Sequence, residues 1–211
     1  MTLASCDSRK TAGENPFFTE WDTPHGVPPF DKILPEHFMP AFERGMSLHE
    51  AEIDAITSNK DEATFENTIL AYDNAGQMLA QTELVFGMLC AAETNDRMQA
   101  LQEQAMPLLA AHRDKIRLDD KLFVRVKEVY DRRAALGLDA EQMRLLQKTY
   151  DSFVRAGALL DAEQKARLKE INGQLSLTAV KFGNNILAEN NNFVLELKSD
   201  ELDGLPAGIR D

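Results

Sequence analysis

From residue 35 to residue 190, apolar side chains return every three or four positions, and no strong linker divides the run. That period places them on one face of a helix, so the span must build helices that pack on one another. Phe38, Phe42, Met46, Ile53 and Ile56 mark a helix over 35–58, with Pro35 suited to its first turn and Glu36 to its positive end. Thr64 caps the next helix, and Phe65, Ile69, Tyr72, Leu79 and Phe86 share one of its faces. It is expected to run to Glu93 as one helix bent at Gly76. Further helices are expected over 95–115, kinked at Pro107, and over 119–135, ended by Gly137. The latter carries Leu122, Val126, Val129 and Tyr130 as its stripe.

Two more helices begin alike. Asp139-Ala140-Glu141-Gln142 and Asp161-Ala162-Glu163-Gln164 both have the form of a capping box, with Asp as the cap and Gln three residues on. In the second of these helices Leu168, Ile171, Leu175, Thr178, Phe182 and Ile186 share a face, and Asn190-Asn191-Asn192 stops it. Residues 16–34 hold Phe17, Phe18, Trp21 and Phe30 among prolines, which favour extended backbone. They read as an ordered arm whose aromatics pack on the helices. Phe193, Leu195 and Leu197 alternate with Val194, Glu196 and Lys198, the pattern of a strand, with Ser199 capping a turn after it. A single strand cannot make a sheet, so its partner must come from elsewhere.

The expected fold class is therefore all-α: an elongated antiparallel helical domain with an extended N-terminal arm and a short β tail. Residues 1–15 form a disordered tail or tether, 16–190 the helical body, and 191–211 a strand and loop.

The charge balance narrows function. A net charge of −12 argues against nucleic acid, because neutralising phosphates requires clustered Lys and Arg. Acidic runs such as Glu50-Ala51-Glu52-Ile53-Asp54 read as solvated helix faces, with attraction of basic peptides as the sharper alternative. No apolar run approaches the roughly 20 residues that span a bilayer. Cys90 sits in an apolar stretch and reads as a buried small hydrophobe. Leu3-Ala4-Ser5-Cys6 has the form of a bacterial lipobox, which makes Cys6 the lipidation candidate. With an apolar signal upstream, the protein is expected to be a cell-envelope lipoprotein tethered by residues 7–15. Without one, residues 1–15 are a frayed tail and the protein is cytoplasmic.

Chemistry is harder to find. A zinc-peptidase helix needs two His four residues apart with a Glu beside the first. His49-Glu50-Ala51-Glu52-Ile53 comes nearest, but Ile53 stands where the second His belongs, so His49 reads as a helix-surface histidine. His37 reads as a turn cap or carboxylate partner, and His112 as a cation near a helix C-terminus. Serines lack a nucleophile-elbow setting, and no glycine-rich phosphate loop occurs. Met78, Met88, Met98 and Met106 read as core, with an adaptable peptide groove as the alternative. No catalytic, cofactor-binding or metal-binding residue is assigned.

Several blocks nonetheless resemble a known family. Pro24-His25-Gly26-Val27-Pro28-Pro29-Phe30-Asp31 leads into Pro35-Glu36-His37-Phe38, Pro40-Ala41-Phe42-Glu43 and Thr64-Phe65-Glu66-Asn67-Thr68-Ile69. Later come Pro107-Leu108-Leu109-Ala110-Ala111-His112, Phe153-Val154-Arg155-Ala156-Gly157-Ala158, Lys165-Ala166-Arg167-Leu168-Lys169-Glu170-Ile171-Asn172 and Phe182-Gly183-Asn184-Asn185-Ile186-Leu187-Ala188-Glu189. In this order they resemble the front of the thimet-oligopeptidase family of zinc metallopeptidases, in its dipeptidyl carboxypeptidase and oligopeptidase A branches. The family's His-Glu-x-x-His helix is not among the 211 residues.

The resemblance implies a non-catalytic N-terminal lobe, one wall of a peptide channel. Zinc is expected only in a C-terminal catalytic lobe, which would be its partner. Short peptides would be the parent's substrates, cut to release C-terminal dipeptides, and this lobe alone would be inert. The competing readings are a stand-alone helical module, with or without a lipid anchor, that binds a peptide or partner helix, and a dimerisation lobe completed by pairing through residues 193–198.

Overall fold

The computed structural model describes residues 14–198 and, beyond them, 201–204, 206 and 208. The tail over 1–13, the lipidation candidate Cys6 and the capping residue Ser199 lie outside the described residues.

The all-α class is observed. Helix α1 spans Phe38–Ser58, α2 Ala71–Asp73, α3 Gln77–Ala92, α4 Asp96–Arg117, α5 Asp120–Asp131, α6 Ala140–Arg155 and α7 Ala162–Asn192. The expected caps form. Asp139 and Asp161 each accept from the backbone N–H of the Gln three residues on, whose side chain accepts from the Asp N–H in return. Thr64 makes the same reciprocal pair with Asn67. α4 runs through Pro107 without a break in its helical span.

Three expectations are corrected. The helix from Thr64 to Glu93 is interrupted, not bent. It opens with a π-helical turn over Phe65–Leu70, continues as α2, and breaks at Gly76, whose φ of +76° lies in the left-handed region. A Cβ there would stand 2.9 Å from His49 Nδ1, so both backbone conformation and space call for glycine. The arm is not one extended run. Pro16–Phe18 and Pro24–Gly26 are 3-10 turns, since proline's fixed φ suits a first turn as well as a strand. Its aromatics do pack on the helices: Phe17 is buried with its ring 5.3 Å from Phe38. The β tail is absent among the described residues. Residues 193–198 carry no ladder, and with no sheet edge beside them their alternation has nothing to pair with.

Two apolar clusters hold the molecule together. One gathers Phe17, Phe38, Phe42, Leu79, Phe86 and Leu109 between α1, α3 and α4. The other gathers Ile53, Ile69, Leu122, Val126, Leu146 and Phe153 between α1, the π turn, α5 and α6. α1 serves both, its early residues the first cluster and its late residues the second. It crosses α3 at Gly45, where a Cβ would approach Leu79 Cα to 3.0 Å. α7 packs on α4, and Lys165 in its first turns is buried against Asp120 of α5.

Candidate functional site

The seam between the two clusters is polar. His49 of α1 lies between Phe42 and Ile53, and His112 of α4 between Leu109 and Ile116, each flanked by residues of both cores. His112 Nε2 and His49 Nδ1 are 3.0 Å apart, so one ring must donate its N–H to the other's bare nitrogen. Glu50 Oε1 stands 3.5 Å from His112 Nδ1, beyond normal hydrogen-bond length, and takes an ion pair from Lys115 at 2.8 Å instead. That ammonium holds the Glu50 carboxyl below its usual range. Glu52 turns the other way and accepts the Gly76 N–H at 2.7 Å.

Both histidines are corrected from their sequence readings. His49 is half-buried rather than on the surface, and His112 is 5% exposed rather than a cation at a helix end. Burial depresses both pKa values below 6.5. For His49 the neighbouring His112 adds to the effect, while Glu52 and Glu50 oppose it. For His112, Lys115 adds to it, and Glu50 and Glu83 of α3 oppose it. Both shifts favour the neutral rings. Its sign for stability follows: a His with a depressed folded pKa stabilises the fold above 6.5, and the contribution is lost as pH falls through the folded value. Thermal denaturation between pH 7.5 and 5 should therefore show a falling Tm. His112→Gln should flatten that fall while lowering the Tm at pH 7.5. An identical pH slope in both proteins would refute the assignment.

Zinc, which the sequence resemblance implies for the longer protein, needs three or four N, O or S ligands converging on one point. Among the described residues no three His, Cys, Asp or Glu converge in this way, and the two seam histidines spend their facing nitrogens on each other. These residues do not fit a zinc ion. His37 caps a turn, its Nδ1 accepting the Leu34 N–H at 3.1 Å, and His25 is exposed at a φ of +59°.

Among the described residues, three surfaces stand out as open to a ligand or partner. A groove of about 770 Å³ runs between the arm and α3, lined by Phe17, Trp21, Met78 and Leu84, with Glu20 and Asp73 as its charges. Met98 is core, as read, whereas Met88 is exposed. A second cleft, about 470 Å³, collects Arg117, Arg144, Lys148 and Arg155 around Asp151. None of these four cations joins an ion pair among the described residues, so in a chain of net −12 this is a local positive site suited to an anion. The third surface is the outer face of α7. Its apolar stripe has the helical period read from the sequence, but it points away from α4. Leu175 and Phe182 are exposed, while Val180 and Asn172 face the body, Asn172 donating to Asp114 at 2.8 Å.

Sequence reasoning missed the histidine pair, because its members are 63 positions apart. It missed the cationic cleft too, although Arg144, Lys148 and Arg155 stand at helical spacing and offered a signal.

The arrangement is that of a helical body with apolar and charged faces and no catalytic cluster among the described residues. Comparison with known proteins gives the class first: the relatives this chain matches are named as peptidases. The chain is 41% identical to dipeptidyl carboxypeptidase of Escherichia coli (strain K12) over 176 residues, 83% of this chain and 26% of that protein. It is 38% identical to dipeptidyl carboxypeptidase of Salmonella typhimurium, over 82% of this chain and 26% of that one. Oligopeptidase A of Escherichia coli is 24% identical over 78% of this chain and 24% of its own length. No family model matches. The chain belongs to the thimet-oligopeptidase family, and it spans about a quarter of the length of the curated relatives it matches.

Proposed function

We propose that this chain is the non-catalytic N-terminal lobe of a zinc-dependent peptidyl-dipeptidase and forms one wall of its substrate channel. The observation that carries the reading is the asymmetry of coverage: 83% of this chain is matched at 41% identity, yet the match accounts for 26% of the relative. The relative is called a dipeptidyl carboxypeptidase, and a longer protein built on this chain would cut short peptides and release their C-terminal dipeptides. The wall would bind and confine peptide, and would exclude folded proteins. The groove beside Trp21, with Glu20 and Asp73 on its rim, suits an extended segment carrying basic residues. Zinc and the groups that use it would belong to the remainder of the longer protein.

The coding sequence itself tests this. A reading frame that continues past Asp211 into a His-Glu-x-x-His helix supports the lobe. A stop codon directly after Asp211 overturns it in favour of a stand-alone helical module. An apolar signal upstream of Met1 in the same gene would make Cys6 a lipid anchor and place the protein in the cell envelope.

A further inference from the structure

α7 carries an apolar ridge that nothing in the described structure covers. Ile171, Leu175, Phe182 and Ile186 lie on one side of the helix, and the step Thr178 between them is uncharged. At about 1.5 Å per residue the ridge is about 22 Å long. Leu175 is 62% exposed and Phe182 66%. Beyond the polar stretch Glu189 to Asn192, exposed apolar side chains recur at Phe193, 70% exposed, and Leu195. Scattered single apolar residues on a surface need no explanation, but a contiguous run of this size marks a contact face. The opposite side of α7 meets α4 through smaller and polar groups, Asn172, Ser176 and Val180. The helix therefore turns its most apolar side away from the body it rests on.

We infer that this ridge, with residues 193–197, is the seam on which the remaining part of the longer polypeptide docks. The inference rests on the lobe reading above. It commits to that occupant because the curated relatives extend to about four times the matched length, which supplies the polypeptide to cover the ridge. The ridge also lies on α7, and exposed apolar side chains recur in the segment that follows it, beyond Glu189 and Asn190 to Asn192. The partner surface it fits is apolar and grooved, wide enough to take the Phe182 ring between its own side chains.

Carbene footprinting read by mass spectrometry tests the seam, with the 211-residue chain compared with the full-length protein. The inference expects Leu175, Phe182 and Phe193 to be labelled in the short chain and to lose that labelling in the full-length protein. Phe182→Glu should leave the Tm of the short chain unchanged and lower that of the full-length protein. Equal labelling in both proteins would overturn the seam. So would protection in the short chain that disappears on dilution, since a second copy would then be the occupant. Peptide hydrolysis by the same full-length sample separates the two claims. An active protein with a labelled ridge refutes only the seam, and an inactive one with a protected ridge refutes only the lobe function. A gene that ends at Asp211 refutes both.

Discussion

Phe153→Ala is expected to destabilise the fold by about 3–5 kcal/mol. The ring is fully buried in the second cluster, 5.3 Å from Tyr72 and 6.1 Å from Phe123 by ring centroids. Truncation removes the transfer free energy of the ring and leaves a void that α5, α6 and the π turn cannot all close on at once. Domains of this kind are stable by only about 5–15 kcal/mol, so the loss consumes a large share of the total. Urea denaturation should show the midpoint falling while the slope holds. Phe182→Ala in the same chain is the control, and because its ring is exposed it should move stability by no more than about 0.5 kcal/mol. Equal effects from the two substitutions would contradict the placement of α6 and α7.

A comparable loss should follow Arg125→Met. Arg125 is 8% exposed, and its guanidinium donates to the carbonyls of Asn59 and Asp61 and to Asn67 Oδ1 at 3.0–3.1 Å. Its partners are neutral oxygens, so the charge works here as a fork of donors that ties the loop after α1 to α5. Asn67 Oδ1 also accepts from the Thr64 N–H and the Thr68 hydroxyl, which makes it the hub of the π turn. Methionine keeps most of the volume and none of the donors. A hydrogen bond to a charged group is worth about 1.5–3 kcal/mol, and bonds sharing one donor group do not add, so about 3 kcal/mol is expected for the set. Arg125→Lys should recover part of it, because an ammonium is a single point and cannot span the fork. A Met variant within 0.5 kcal/mol of the parent chain, by the same urea titration, would refute the tie.

The helices were legible because their information is local. Thr64, Asp139 and Asp161 announce their caps within four residues, and the end of α1 follows from the apolar spacing up to Ile56, although Pro35 opens a 3-10 turn over Pro35–His37 and α1 itself begins only at Phe38. What failed was the step from period to direction. The α7 stripe has the right spacing, yet a helix does not reveal from its own sequence which neighbour its stripe will meet, and here the body packs against the other side. The strand expected at 193–197 failed for a related reason, since alternation is only half of a strand and the pairing edge lies outside the segment. Gly76 was visible as a weak point, but its closeness to the His49 ring depends on two helices meeting. The histidine seam and the Arg125 fork join residues 58 to 66 positions apart, beyond any local pattern. The family, by contrast, was legible, because its resemblance rests on short local blocks between Pro24 and Glu189, and relatives of that family match about 82% of the chain.

The most direct measurement is peptide hydrolysis followed by mass spectrometry, with the full-length protein and the 211-residue chain run side by side on an unblocked short peptide. The account predicts that the full-length protein releases C-terminal dipeptides and loses that activity to a zinc chelator, and that the 211-residue chain releases none. Dipeptide release by the purified 211-residue chain, or a full-length protein that leaves short peptides intact, would contradict it.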